Sequence, residues 1–310
     1  MSDGPVLAEG LAEYIAAVRP APAAAPLSPA EARLAADLAA TRIAYQPAVA
    51  MQVTTSFVGQ DRGEIPVRIY RPAGDGARAA LLYFHGGGFT TGSLDSYEPL
   101  AMALAEASGA TVISVHYARL PQSTPFAILE QGYDALCWAA DMADVLGIDR
   151  RHIGVAGDSA GAFIAAQLAV LARDRGGPAL QCQFLAYGVY DMDDSRAAYQ
   201  SGSDPVLGWP VIRGMIQTYR DCDARNPSPL PPPLGIADLA GLPPAIMLGA
   251  QYDPMLAEGH EYAARLGEAG VSVDMHVAQY MPHGFLRAVR FSEPARAEMR
   301  AIGAKIRNHL

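Results

Sequence analysis

Short apolar runs rich in β-branched residues alternate along the chain with longer stretches whose apolar positions recur every three or four residues. The short runs predict strands at residues 50–58, 65–70, 81–84, 111–115, 153–156, 183–186, 245–249 and 271–277. The longer stretches predict helices over 96–107, 126–146, 160–173, 257–269 and 294–308. From residue 79 onward the two types alternate with short connections. That order implies parallel strands joined by helical crossovers, so the expected fold class is α/β: a mostly parallel central sheet with helices on both faces.

Two segments fall outside the alternation. Residues 7–40 read as two short helices separated by the Pro- and Ala-rich stretch 20–29. The second has a start signal: Ser28 as the cap, Pro29 at the first helical position and Glu31 completing a capping box, with Leu34 and Leu38 at helical spacing. The other segment, 190–233, holds Trp209 and Tyr219 and ends in a proline-rich run. The predicted organisation is therefore a helical arm over 1–48, a core over 49–189 and 234–310, and an insertion over 190–233. Arm and insertion are expected to cap the end of the sheet where such folds bind ligands.

Composition narrows the classes of partner. The 310 residues are 51% hydrophobic and carry a net charge of −9, enough for a large core and the wrong sign for phosphate backbones. Nucleic-acid binding and docking on anionic membranes are not expected. The first ten residues lack a basic region followed by an apolar core, and no stretch approaches a membrane helix, so the reading is a cytoplasmic protein. Cys137, Cys182 and Cys222 form no CxxC pair and no metal-ligand spacing with histidines. No metal or organic cofactor is expected.

The chemistry-bearing signal is Gly157-Asp158-Ser159-Ala160-Gly161, a GxSxG sequence between a predicted strand and a predicted helix. A serine on such a sharp turn has a strained backbone and exposes its hydroxyl, and the residues two away on either side must be small. The helix start behind it favours developing negative charge. Directly after the strand at 81–84 comes His85-Gly86-Gly87-Gly88-Phe89. Three consecutive glycines fit a loop whose backbone comes close to a ligand. The N–H groups of Gly86, Gly87 and Ala160 are the predicted oxyanion hole, and His85 is expected to brace the loop.

A serine nucleophile of this kind needs an acid and then a histidine later in the chain. Asp253 follows the predicted strand 245–249, and His283 lies in the loop segment Met281-Pro282-His283-Gly284. Asp191, Asp193 and Asp194 are the competing acids. His116 and His152 precede the serine, while His260, His276 and His309 fall in a helix, in a strand and at the terminus.

Taken together these motifs resemble the hormone-sensitive-lipase-like esterases of the α/β-hydrolase fold. The resemblance rests on His85 to Phe89, Gly157 to Gly161, Tyr252-Asp253-Pro254 with Glu258-Gly259, His283-Gly284-Phe285 and the stretch from Leu239 to Ala245. It departs from the family at His116 to Gln122, which lacks the usual acids, at Ala162 and at Met255-Leu256-Ala257. It implies cleavage of small carboxylic esters with short to medium acyl chains by Ser159, His283 and Asp253. Phe89, Trp209 and Tyr219 are candidate pocket walls. A homodimer through the strand at 271–277 is a further expectation. An amidase, thioesterase or peptidase on the same fold, or a scaffold that only binds, are the alternatives.

Overall fold

The structure, a computed structural model, describes residues 4–19, 27–59, 63–74, 76–200, 203–226 and 229–310. In chain order its elements are α1 (Leu11–Val18), α2 (Pro29–Ala40), β1 (Met51–Val58), β2 (Ile65–Pro72), β3 (Arg78–Phe84), α3 (Glu98–Ser108), β4 (Thr111–Val115), α4 (Pro125–Asp141), α5 (Ala143–Leu146), β5 (Ile148–Asp158), α6 (Ala160–Asp174), β6 (Gln183–Ala186), α7 (Ala197–Gln200), α8 (Trp209–Asp223), β7 (Ala245–Ala250), α9 (Leu256–Glu268), β8 (Val273–Ala278) and α10 (Glu293–His309). The strands form one sheet in the order β1-β2-β4-β3-β5-β6-β7-β8. Strands β3 to β8 are parallel, and β1 and β2 add an antiparallel edge.

Successive side chains of a strand point to opposite faces, and β3 uses this to feed two cores. Leu82 and Phe84 pack with Val155 of β5 and with Leu136, Ala166 and Leu168 of α4 and α6. Leu81 and Tyr83 pack on the other face with Leu100 and Leu104 of α3 and with Ile302 and Ile306 of α10. All of these are buried almost completely. Because both faces are covered, the central strands read as continuous apolar runs with no alternation.

Some boundaries differ from those the sequence predicts. Strand β5 begins five residues earlier than expected, at Ile148, through a polar stretch, Asp149 to His152, that carries no apolar pattern. The predicted helix 126–146 is broken at Met142, whose backbone leaves the helical region (φ −93°, ψ 14°). Leu34 and Leu38, each 59% exposed, face outward. Helix α2 is held by polar contacts instead: Arg33 donates to the carbonyls of Thr90 and Leu120 at 2.8 Å, and Asp37 accepts from Ser93. Its predicted capping box is present. Most of the linker predicted at 20–29 lies outside the described residues. Strand β8, named above as a possible dimer edge, does lie at one edge of the sheet.

Candidate active site

Strand β5 runs into α6 through Ser159, which has φ 54° and ψ −121°. A non-glycine residue rarely adopts such a backbone, and strain of this kind persists only where the surroundings enforce it. Here the Ser159 N–H is tied to the Ala186 carbonyl at 2.9 Å. A Cβ at Gly157 would overlap the Gly161 backbone, and one at Gly161 would overlap the Phe84 carbonyl. The two glycines of the motif are therefore required by close backbone approach.

The turn presents the serine hydroxyl to His283. Ser159 Oγ lies 2.8 Å from His283 Nε2, and His283 Nδ1 lies 2.8 Å from Asp253 Oδ2. A carboxylate can only accept, so Nδ1 carries the hydrogen and Nε2 is left to accept the serine proton. Asp253 sits in the turn after β7, where its Oδ1 also accepts the Met255 N–H at 2.8 Å. His283 follows β8, so all three groups come from the carboxyl ends of parallel strands. Burial alone would lower the His283 pKa. The Asp253 carboxylate outweighs it, with help from Asp204 and Asp158, and holds the imidazole above its ordinary value.

Two carboxylates that the sequence reading passed over brace this arrangement. Asp204 accepts the His283 backbone N–H at 2.6 Å and those of Val206 and Leu207 at 2.7 and 2.9 Å, fixing the histidine loop to the 190–233 segment. Asp158, beside the serine, accepts from the Tyr83 hydroxyl at 2.6 Å and from the Gly86 N–H at 2.9 Å. Burial pushes Asp158 up to about 6. The adjacent Asp-Ser spelling could have suggested the second role. Nothing local marks Asp204, which meets His283 only through the fold.

The glycine loop is held from both sides. The His85 ring stacks between Tyr117 and Tyr97 at 4.4 and 5.1 Å, and its Nδ1 contacts the Gly86 carbonyl at 2.8 Å. Burial lowers its pKa to about 3, so the ring is neutral and structural. The stretch that departs from the family pattern supplies further braces: Tyr117 to the His85 carbonyl at 2.7 Å, Arg119 to Gly92 at 2.7 Å and the Leu120 N–H to Phe89 at 2.9 Å. One expectation is corrected here. The Gly86 N–H was assigned to the oxyanion hole, but it is consumed by Asp158. The N–H groups of Gly87, Gly88 and Ala160 have no partner among the described residues. Gly87 and Gly88 have φ of 102° and 59° and line the cavity beside Ser159.

That cavity has a volume of about 740 Å³ and reaches Ser159 and His283. Leu27, Pro29 and Ala32 of the arm form part of its wall, and Val206, Leu207, Val211 and Met215 form another part. The three predicted wall residues are elsewhere. Phe89 and Tyr219 are buried in an aromatic cluster with Phe163, at centroid distances of 5.2 to 5.3 Å. Trp209 stacks on Tyr199 at 6.3 Å, away from the cavity lining. Phe89 and Tyr219 pack into the core and Trp209 lies half-buried beside it, while Val211 and Met215 of α8 take the wall.

The model of a family described as alpha/beta hydrolase fold matches residues 81–287. The chain belongs to that family, in its hormone-sensitive-lipase-like branch. A carboxylesterase of Mycobacterium tuberculosis, NlhH, is 39% identical over 242 residues, covering 76% of each chain. The ethyl acetate hydrolase of Pseudomonas putida is 35% identical over 260 residues, covering 82% of each. Among solved structures, the thermostable carboxylesterase EstE1 from a metagenomic library superposes with a TM-score of 0.85 at 31% identity, covering 92% of this chain and 98% of its own. The protein is a carboxylic ester hydrolase. No helix among the described residues is long and apolar enough to cross a membrane.

Proposed function

We propose that Ser159 is the nucleophile of this esterase, His283 its base and Asp253 the acid that orients the base. The observation that carries this reading is the continuous pair of 2.8 Å contacts from Ser159 through His283 to Asp253, begun at a strained turn. In the first half-reaction His283 Nε2 takes the serine proton as Oγ attacks the ester carbonyl carbon. The negative oxygen of the tetrahedral species is received by the free N–H groups of Gly87, Gly88 and Ala160, the last at the start of α6, where the helix dipole adds positive potential. The imidazolium, stabilised by Asp253, returns its proton to the departing alcohol. Water then attacks the acyl-serine, again with His283 as base, and releases the carboxylic acid.

Residues 1–48 and 190–233 are read as a cap over the core 49–189 and 234–310, since side chains from both meet Ser159 around one cavity. A cavity of about 740 Å³ suits short to medium acyl esters, in keeping with the name of the ethyl acetate hydrolase relative. The test is hydrolysis of p-nitrophenyl acetate, butyrate, octanoate and palmitate by the wild type and by Ser159→Ala. The expected result is a preference for the shorter esters and a loss of about a thousandfold or more in the variant. Equal rates for both proteins would remove Ser159 from the nucleophile's role, and a preference for palmitate would overturn the substrate reading.

A further inference from the structure

One part of the cavity is cationic and rich in hydrogen-bond donors, although most of its wall is apolar. Arg287, four residues after His283 in the 3-10 turn Phe285–Ala288, lines it together with Tyr14 of α1 and Tyr97 just before α3. The guanidinium carbon lies 4.5 Å from the centroid of the Tyr97 ring, and Nη2 donates to the Ser96 carbonyl at 3.0 Å. Its Nε is buried without a partner. No carboxylate forms an ion pair with it among the described residues, whereas Arg68, Arg196 and Arg220 all meet acids. The hydroxyls of Tyr14 and Tyr97 likewise have no partner among the described residues.

An arginine stays charged at any ordinary pH, and burying its charge without an acid is costly. The cost is explicable where a ligand supplies the missing anion, because a guanidinium and a carboxylate match as a two-pronged pair. Asp158 attracts Arg287 through space, but its Oδ1 already accepts from Tyr83 and Gly86, and among the described residues the two side chains form no direct ion pair. The other acid lining the cavity, Asp221, comes from α8 and receives the Gln217 side chain at 2.7 Å.

We propose that Arg287, with the hydroxyls of Tyr14 and Tyr97, binds a carboxylate on the substrate, so that the favoured substrates are esters bearing a free acid group. The proposal rests on the assignment of Ser159, which shares the cavity, as the nucleophile. The binding site for the anion is then built into the same loop that carries His283, and an anionic ester is positioned by the turn that positions the base.

Two matched pairs of esters place the carboxylate on either side of the scissile bond: monoethyl succinate against ethyl levulinate, and p-acetoxybenzoate against p-acetoxyacetophenone. The readout is the ratio of kcat/KM for the anionic member to that for its neutral match, in the wild type, Arg287→Gln and Arg287→Lys. We expect the ratio to fall about tenfold to a hundredfold in Arg287→Gln for one pair, chiefly through KM, and to be partly kept in Arg287→Lys. The pair that responds identifies the side of the ester on which the carboxylate sits. A ratio that stays within about twofold of wild type for both pairs overturns the proposal and leaves Arg287 as a countercharge to Asp158. Should the variants fail to fold, competition with a neutral ester in the wild type decides: succinate or benzoate should inhibit well below the concentration needed for its amide, and equal inhibition by acid and amide overturns the proposal. Failure of the underlying site is read separately, as undiminished hydrolysis of the neutral esters by Ser159→Ala.

Discussion

The His283 ring is fixed at three points: Asp253 at Nδ1, Ser159 at Nε2 and Asp204 at its own backbone N–H. In the proposed mechanism only the neutral ring can accept the serine proton, so activity should fall as pH drops through the pKa of His283. Since Asp253, Asp204 and Asp158 hold that pKa above its ordinary value of about 6.5, the acid limb of kcat/KM should lie above about 6.5. Asp253→Asn removes the leading upward influence, and burial then pulls the limb to lower pH. It should also cost about ten-thousandfold in kcat, as the equivalent change does in the serine-protease triad. A pH–rate profile of both proteins checks the two effects together. At this scale the sequence was informative where chemistry forces a local pattern. Ser159 stood out because only small neighbours fit its turn, and Asp253 and His283 because they follow the serine in order at strand ends. Asp204 and Arg287 did not, since their partners lie 79 and 191 residues away along the chain.

At the scale of elements, the arm is joined to the site by a few polar bonds. Arg33 ties α2 to the carbonyls of Thr90 and Leu120, which flank the loop carrying Gly87 and Gly88. Arg33→Ala should lower kcat/KM several-fold and make residues 27–40 more open to proteolysis, with the thermal midpoint changed little, because local opening costs less than global unfolding. Limited proteolysis beside steady-state kinetics tests this. The cap signal of α2 was legible, because Ser28 and Glu31 act within four residues. Its orientation was not: the helical spacing of Leu34 and Leu38 does not tell which face packs, and the helix is held by Arg33 and Asp37, whose partners come from distant loops. The same reason explains the misplaced pocket wall. The segment 190–233 was read only as an insertion, so neither helix α8 nor the burial of Ile212, Ile216 and Tyr219 on it was legible, and with them the face that meets the cavity.

Across the whole molecule, the sheet sets the site by bringing the carboxyl ends of β5, β7 and β8 to one rim. Alternation of β3 side chains between two cores makes that rim rigid. Leu82, fully buried between β3 and the helices on one face, is the test: Leu82→Ala should cost about 2–5 kcal/mol of stability, read as a lower denaturant midpoint with an unchanged slope. The alternation of strands and helices made this architecture readable from sequence, since two covered faces require it. The early start of β5 and the break at Met142 were not, because register with neighbours fixes the first and local packing the second.

The most direct measurement is covalent trapping with diethyl p-nitrophenyl phosphate, followed by peptide mass mapping. A single diethylphosphoryl group is expected on the peptide carrying Ser159, with loss of esterase activity in step with its formation and no labelling of Ser159→Ala. Inactivation with the phosphoryl group on another residue, or full ester hydrolysis by a protein labelled at Ser159, would contradict the assignment of Ser159 as the nucleophile.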